Sequence, residues 1–192
     1  MKNLYKKRLL IALAFILAAS FAYALDPITL KDSKTKMTVN LYPTVEKEDK
    51  ELLFYSNERF GYSVLVPKIF TKVVTLPTNG DGMILESKSG KEKFRVSGGL
   101  ITEKEMLKKT YNAACKSIGG ENNASFYYIG DVYWELCWWK GNTFYSRKFL
   151  INDEEAWCDC EISYPSSRDE GTYNPLDKII YRAIQSLAFP VG

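Results

Sequence analysis

The chain has 192 residues, with 26 lysines and arginines against 23 aspartates and glutamates, a net of +3, and no histidine. The lack of histidine excludes Ser-His-Asp and Cys-His catalysis and removes the commonest metal ligand. Four of the basic residues (Lys2, Lys6, Lys7 and Arg8) stand in the first 24, and without them the balance is 22 basic to 23 acidic, a net of −1. No clustered positive stripe remains, so nucleic acid is not an expected partner.

After the basic start come the uncharged run Leu9 to Phe21 and then Ala22-Tyr23-Ala24. A basic head, an apolar core and a small-x-small site form the three-part pattern of a cleavable export signal over residues 1–24. The apolar run is shorter than the roughly 20 residues that span a bilayer, so no stable membrane insertion is expected once the signal is removed. The expected location is periplasmic or secreted. Residues 25–50 are polar and rich in lysine, and read as a loose leader before a single domain over 51–192.

The domain opens with two strand-like runs, Leu52 to Tyr55 and Tyr62 to Val66, separated by a turn between Asn57 and Gly61. Pro67 ends the second. Asn79-Gly80-Asp81-Gly82 is a dense turn signal before a strand over Met83 to Ser87, and Lys93 to Ser97 returns as another. Thr102 and Glu105 fit a capping box, and Leu107, Tyr111, Ala114 and Ile118 form the apolar stripe of the helix that follows. Gly119-Gly120 closes that helix. Four further strands are expected over 125–129, 132–139, 143–151 and 156–164, joined by short polar turns. Asn174 and Pro175 then cap a last helix whose apolar face carries Leu176, Ile180, Ala183, Ile184 and Leu187. Hairpins with separate helices argue an α+β fold. Strands that are apolar at nearly every position, such as the one holding Trp134, Trp138 and Trp139, argue a sheet covered on both faces.

Asn57-Glu58-Arg59-Phe60-Gly61-Tyr62, Val66-Pro67, Phe70 and Asn79-Gly80-Asp81-Gly82 resemble the opening of exported bacterial PsbP-like proteins. Tyr164-Pro165, Tyr173-Asn174-Pro175 and Ser186-Leu187-Ala188-Phe189 resemble their ending. The resemblance covers roughly residues 52–190. It implies an α/β/α sandwich on a central antiparallel sheet, the fold shared by the PsbP subunit of photosystem II and a Ran-binding transport factor. It implies no activity at particular positions, because members of this fold bind unrelated partners.

Cys115, Cys137, Cys158 and Cys160 are an even set in a chain that reads as exported, which favours disulfides. Cys158 and Cys160 share one strand face, so a bond between them would be strained. Pairing Cys115 or Cys137 with one of them is favoured, with buried thiols as the alternative. A lone CxC without CxxC partners is poor zinc spacing, and no cofactor is expected.

Among candidate site residues, Asp81 in its Gly-rich turn is a hard ligand suited to a cation, although the plainer reading is a turn. Asp153, Glu154 and Glu155 are consecutive in a loop and read as a solvated cap rather than a catalytic pair. Trp134, Trp138, Trp139, Tyr145 and Trp157 form an aromatic set that is core inside a covered sheet and a platform if exposed. Trp139, Trp157 and Tyr145 are its candidate ligand-binding members. These observations lead to the expectation of a non-enzymatic, exported binding or accessory module with an extracytoplasmic protein partner. A carbohydrate- or peptide-binding module using exposed tryptophans is the first alternative, and a histidine-free hydrolase the second.

Overall fold

The computed structural model describes residues 26–44, 46, 50–152, 156–166 and 174–190. The expected export signal and Asp153, Glu154 and Glu155 lie outside the described residues. The chain forms an α+β fold with two antiparallel sheets and, among the described residues, two α-helices. None of the described helices is long and apolar enough to cross a membrane.

The smaller sheet has the order β1-β2-β3-β4, from β1 (Ile28–Lys31), β2 (Thr38–Pro43), β3 (Leu52–Asn57) and β4 (Tyr62–Pro67). The larger has seven strands, β5 (Phe70–Thr75), β6 (Gly82–Ser87), β7 (Lys93–Leu100), β8 (Ala124–Ile129), β9 (Tyr133–Lys140), β10 (Thr143–Ile151) and β11 (Ala156–Pro165). Their spatial order is β5-β6-β7-β11-β10-β9-β8. Helix α1 (Met106–Ser117) interrupts the strands after β7, and α2 (Pro175–Gln185) follows β11.

The segment read from sequence as a loose leader is instead structured: β1 and β2 pair from Ile28↔Leu41 to Lys31↔Thr38, and Leu41 is fully buried. Thr29, Lys31, Thr38 and Asn40 point outward, so composition hides a hairpin whose Leu30, Val39 and Leu41 meet the core. Asp32 ties the hairpin down, its carboxylate accepting from the backbone N–H of Lys34 at 2.8 Å and of Leu76 at 3.3 Å.

Each face of the large sheet has its own cover, because side chains alternate along every strand. One face carries Phe94, Val96, Cys158, Cys160 and Ile162, which join Tyr62, Val64, Val66, Ile180 and Ile184 in the main core between the small sheet, the large sheet and α2. The opposite face carries Trp134, Leu136 and Phe149, packed with Tyr111, Ala114 and Cys115 of α1. Helix α1 ends where Gly119 adopts φ +85° and the Gly120 N–H donates to the Cys115 carbonyl at 2.9 Å. The expected capping box is not made. Glu105 itself occupies the N-cap in the left-handed region, φ 58°, with no side-chain cap bond, so the helix starts at Met106. Helix α2 opens as expected, with Asn174 Oδ1 accepting from the Leu176 N–H at 3.0 Å and Pro175 in the first turn.

Gly98 shows how closely the two sheets approach: a Cβ there would lie 2.4 Å from Tyr62 Cε1 and 3.1 Å from the Trp157 carbonyl oxygen. Tyr62 is fully buried, so Gly98→Ala is expected to cost about 1–3 kcal/mol by overpacking. Urea denaturation measures it, and an unchanged midpoint would refute the contact.

All four cysteines stand as buried free thiols in this structure, without the pairing favoured from sequence. The faces explain it. Cys115 sits on α1 against one side of the large sheet, while Cys158 and Cys160 belong to the core on the other. Cys137 shares the face of Cys160 but stands two strands away, across Ser146 of β10. Two strand spacings are about 10 Å, beyond the roughly 7 Å limit between bridged Cα atoms. Burial pushes the Cys137 thiol up to about 11 and raises Cys158 and Cys160 as well. Alkylation of the unfolded, unreduced chain is therefore expected to label all four thiols, while the native chain reacts slowly near neutral pH. A product carrying two labels would reinstate a bridge.

Candidate functional site

Helix α2 covers only part of its sheet face. Beyond it, toward the β8 edge, β8, β9 and β10 present one row of side chains each, and α2 rises as a wall beside them. Period-two alternation brings Phe126 and Tyr128 from β8, Tyr133, Glu135, Cys137 and Trp139 from β9, and Phe144 and Ser146 from β10 onto this face. With Tyr164, Asp177, Tyr181 and Gln185 they line a groove of about 600 Å³.

The groove is aromatic on its sides and acidic at its floor. Tyr128 and Tyr133 lie with ring centroids 4.8 Å apart, Trp139 and Phe144 4.9 Å apart, and Phe144 meets Tyr164 edge-on at 5.7 Å. Tyr181 on α2 is 64% exposed at the rim. Burial raises the Tyr133 phenol, with Tyr128 adding to the shift. Burial likewise raises Tyr164, whose hydroxyl donates to Asp177 at 2.5 Å.

Glu135 is the unusual residue. Its side chain faces this row from the middle of an apolar strand and is only 7% exposed. Gln185 Nε2 donates to both of its carboxylate oxygens at 2.9 Å, which fixes the carboxylate while leaving acceptor capacity unused. Lys148, its cross-strand neighbour on β10, is equally buried. The Lys148 ammonium donates to the Gln185 carbonyl at 3.3 Å and lies 5.2 Å from the Tyr133 ring centroid. Burial lowers its proton affinity, and Glu135 opposes that shift. The groove lining itself contains two carboxylates, Glu135 and Asp177, and no lysine or arginine.

The residues singled out from sequence do not converge. Trp139 lines the groove. Tyr145 stacks on Trp138 on the opposite face, centroids 4.9 Å apart, and Trp157 stacks on Phe149 there while its Nε1–H donates to the Leu100 carbonyl at 3.1 Å. Asp81 lies at the far end of the large sheet in its turn, 3.4 Å from the Arg59 guanidinium and accepting from Asn79 Nδ2. It holds a turn together. Trp134 is fully buried core. Sequence reasoning missed Glu135, Gln185, Phe126, Tyr128 and Tyr181. The available signal was one glutamate at an inward position of the strand holding Trp134 and Trp139.

A wider depression of about 860 Å³ lies between the segment leading into α1 and the β8–β9 turn. Its charged members Glu103, Lys104, Glu105, Lys108 and Asp131 are exposed and converge on no buried polar group.

No family model matches the chain, and no curated protein matches it. Among solved structures it is similar to the Saccharomyces cerevisiae Ran-binding protein Mog1p, at 8% identity and a TM-score of 0.46, over 72% of this chain and 95% of that one. A second Mog1 structure gives 8% identity and a TM-score of 0.45, over 72% and 96%. Likeness at that level carries no argument about function, and the site must speak for itself.

Proposed function

We propose that the chain is an exported, non-enzymatic accessory module that holds a protein partner in the groove beside α2. The observation that carries this is the groove's lining: aromatic rings on four strands and one helix, with a fixed, buried carboxylate beneath them. Rings of this kind supply large contact area with little side-chain entropy to lose, as at protein interfaces. The Ser146 hydroxyl and the Cys137 thiol in the lining have only each other, with no base to activate either. Ser146 Oγ has the Cys137 thiol as its neighbour at 3.5 Å, and burial raises that thiol. Export rests on the pattern of residues 1–24, and membership of the PsbP-like proteins, with their sandwich arrangement, on the motifs between 52 and 190.

Tryptophan-based carbohydrate binding is the weaker reading, because Trp139 alone among the tryptophans lines the groove. The test is photocrosslinking of the full chain in extracytoplasmic extract, with p-benzoylphenylalanine replacing Tyr181 in the groove or Lys116 on the opposite side. One discrete covalent partner from position 181 and none from 116 is expected. Equal labelling from both positions, or none from either, would sink the reading.

A further inference from the structure

The groove opens onto the outer strand β8, and that strand is built unlike the other end of the sheet. Strand β5, the opposite edge, carries Lys72, has two register breaks against β6 and packs beside β1. Charges, bulges and cover of this kind are how edges are kept from pairing with other chains. Strand β8 has one such break, at Ser125 between Ala124 and Phe126, and beyond it neither charge nor bulge: Phe126, Tyr127, Tyr128 and Ile129 are uncharged, exposed and in continuous register with β9. Phe126 and Tyr127 are each 51% exposed. Among the described residues no strand pairs with its outer edge.

The rows of the sheet then say what would lie there. Tyr128 pairs with Glu135, and Glu135 with Lys148, so these three side chains stand in line across β8, β9 and β10. Lys148 is thus on the far side of Glu135 from the open edge, where it is held by the Gln185 carbonyl and the Tyr133 ring. The near side offers the Glu135 carboxylate, the faces of Tyr128 and Tyr133, and no cation. A strand added to β8 would place the residue opposite Tyr128 about 10 Å from the Glu135 backbone. An arginine stem together with the glutamate's own side chain spans that gap along the apolar rings.

We infer that the partner docks as an extended segment on the β8 edge and projects an arginine over Tyr128 into the groove, where its guanidinium meets Glu135. This rests on the groove being the partner-binding surface. Arginine fits better than lysine because its planar fork stacks on tyrosine faces and reaches a carboxylate with two donors. The main-chain bonds come from the edge and the selectivity from alternate side chains, the logic of strand addition.

The probe is an end-blocked hexapeptide of alternating valine and arginine, titrated calorimetrically into the full chain, beside the same peptide with citrulline for arginine. Citrulline keeps the shape and removes the charge. Saturable binding is expected for the arginine peptide, at least tenfold weaker for citrulline. Methylating alternate backbone nitrogens should abolish binding. Glu135→Gln should weaken the arginine peptide tenfold and leave the citrulline peptide unchanged. Equal affinity for arginine and citrulline peptides overturns the inference without needing any variant to fold. Absence of peptide binding while position 181 still crosslinks one partner also overturns it and leaves the groove reading standing. Failure of both experiments removes both.

Discussion

Trp134→Ala is expected to lower the unfolding free energy by about 3–5 kcal/mol, the range for deleting a large aromatic from a packed core. The residue is 0% exposed, one position inside the start of β9. Its ring lies nearly parallel to Phe149 at 5.7 Å and meets Tyr111 of α1 edge-on at 6.1 Å. Its Nε1–H donates to Thr110 Oγ1 at 2.9 Å, so the indole joins helix and sheet through both its face and its polar tip. Arg147 reaches over the same ring at 5.2 Å. Truncation would leave a cavity under α1 and take away the indole donor to Thr110, whose hydroxyl keeps its bonds to the Met106 and Leu107 carbonyls. Urea denaturation followed by far-ultraviolet circular dichroism measures the loss. A change below about 1 kcal/mol would mean that α1 does not depend on this ring.

The second large effect is electrostatic. Asp159 lies 3% exposed on the α1-side face of β11. Its carboxylate accepts from Arg147 Nε and Nη2, both at 2.9 Å, and lies 3.0 Å from Arg95 Nη2. Glu161 completes the cluster at 3.5 Å from Arg95. Breaking a buried pair by removing one partner leaves uncompensated charge, typically about 3–5 kcal/mol. Asp159→Asn keeps the shape and deletes the charge, so about 3 kcal/mol of destabilisation is expected, toward the low end because both guanidiniums retain some contact with water. Arg147→Met in the same background should cost much less than the two single changes summed, because the stranded cation is gone. A strictly additive double variant would show that the pair is not coupled.

Much of the fold can be read from the residues in order. Apart from β5, the hairpin strands from Leu52 to Leu100 and the meander from Ala124 to Pro165 follow the expected runs to within a few residues, because turn residues punctuate alternating apolar segments. Asn174-Pro175 marks the start of α2 because a side-chain acceptor and a fixed φ suit that position whatever surrounds it. Local chemistry fails where the neighbours are distant. Residues 28–43 look too polar to be strand until the core that receives Leu41 is present. Strand β5 passes unread because its residues are largely exposed, and its pairing with β6 supplies what its composition does not. Glu105 fits a capping box on spacing alone, yet the chain leaving β7 enters the helix through a left-handed residue.

The amino-acid order by itself determined most element types and turn positions between Leu52 and Pro165, since each depends on residues adjacent in the chain. Tertiary structure decided which residues meet. Only the pairing β7-β11-β10-β9-β8 puts Tyr128, Glu135 and Lys148 in one row and sets Trp139 apart from Trp157 and Tyr145. It also separates Cys115 from Cys158 and Cys160 by the thickness of a sheet. The physical reason is that period-two alternation assigns a side chain to a face, while the identity of the neighbour on that face comes from strand order and register. Those are set by burial summed over the whole core, and no short window of sequence contains that sum.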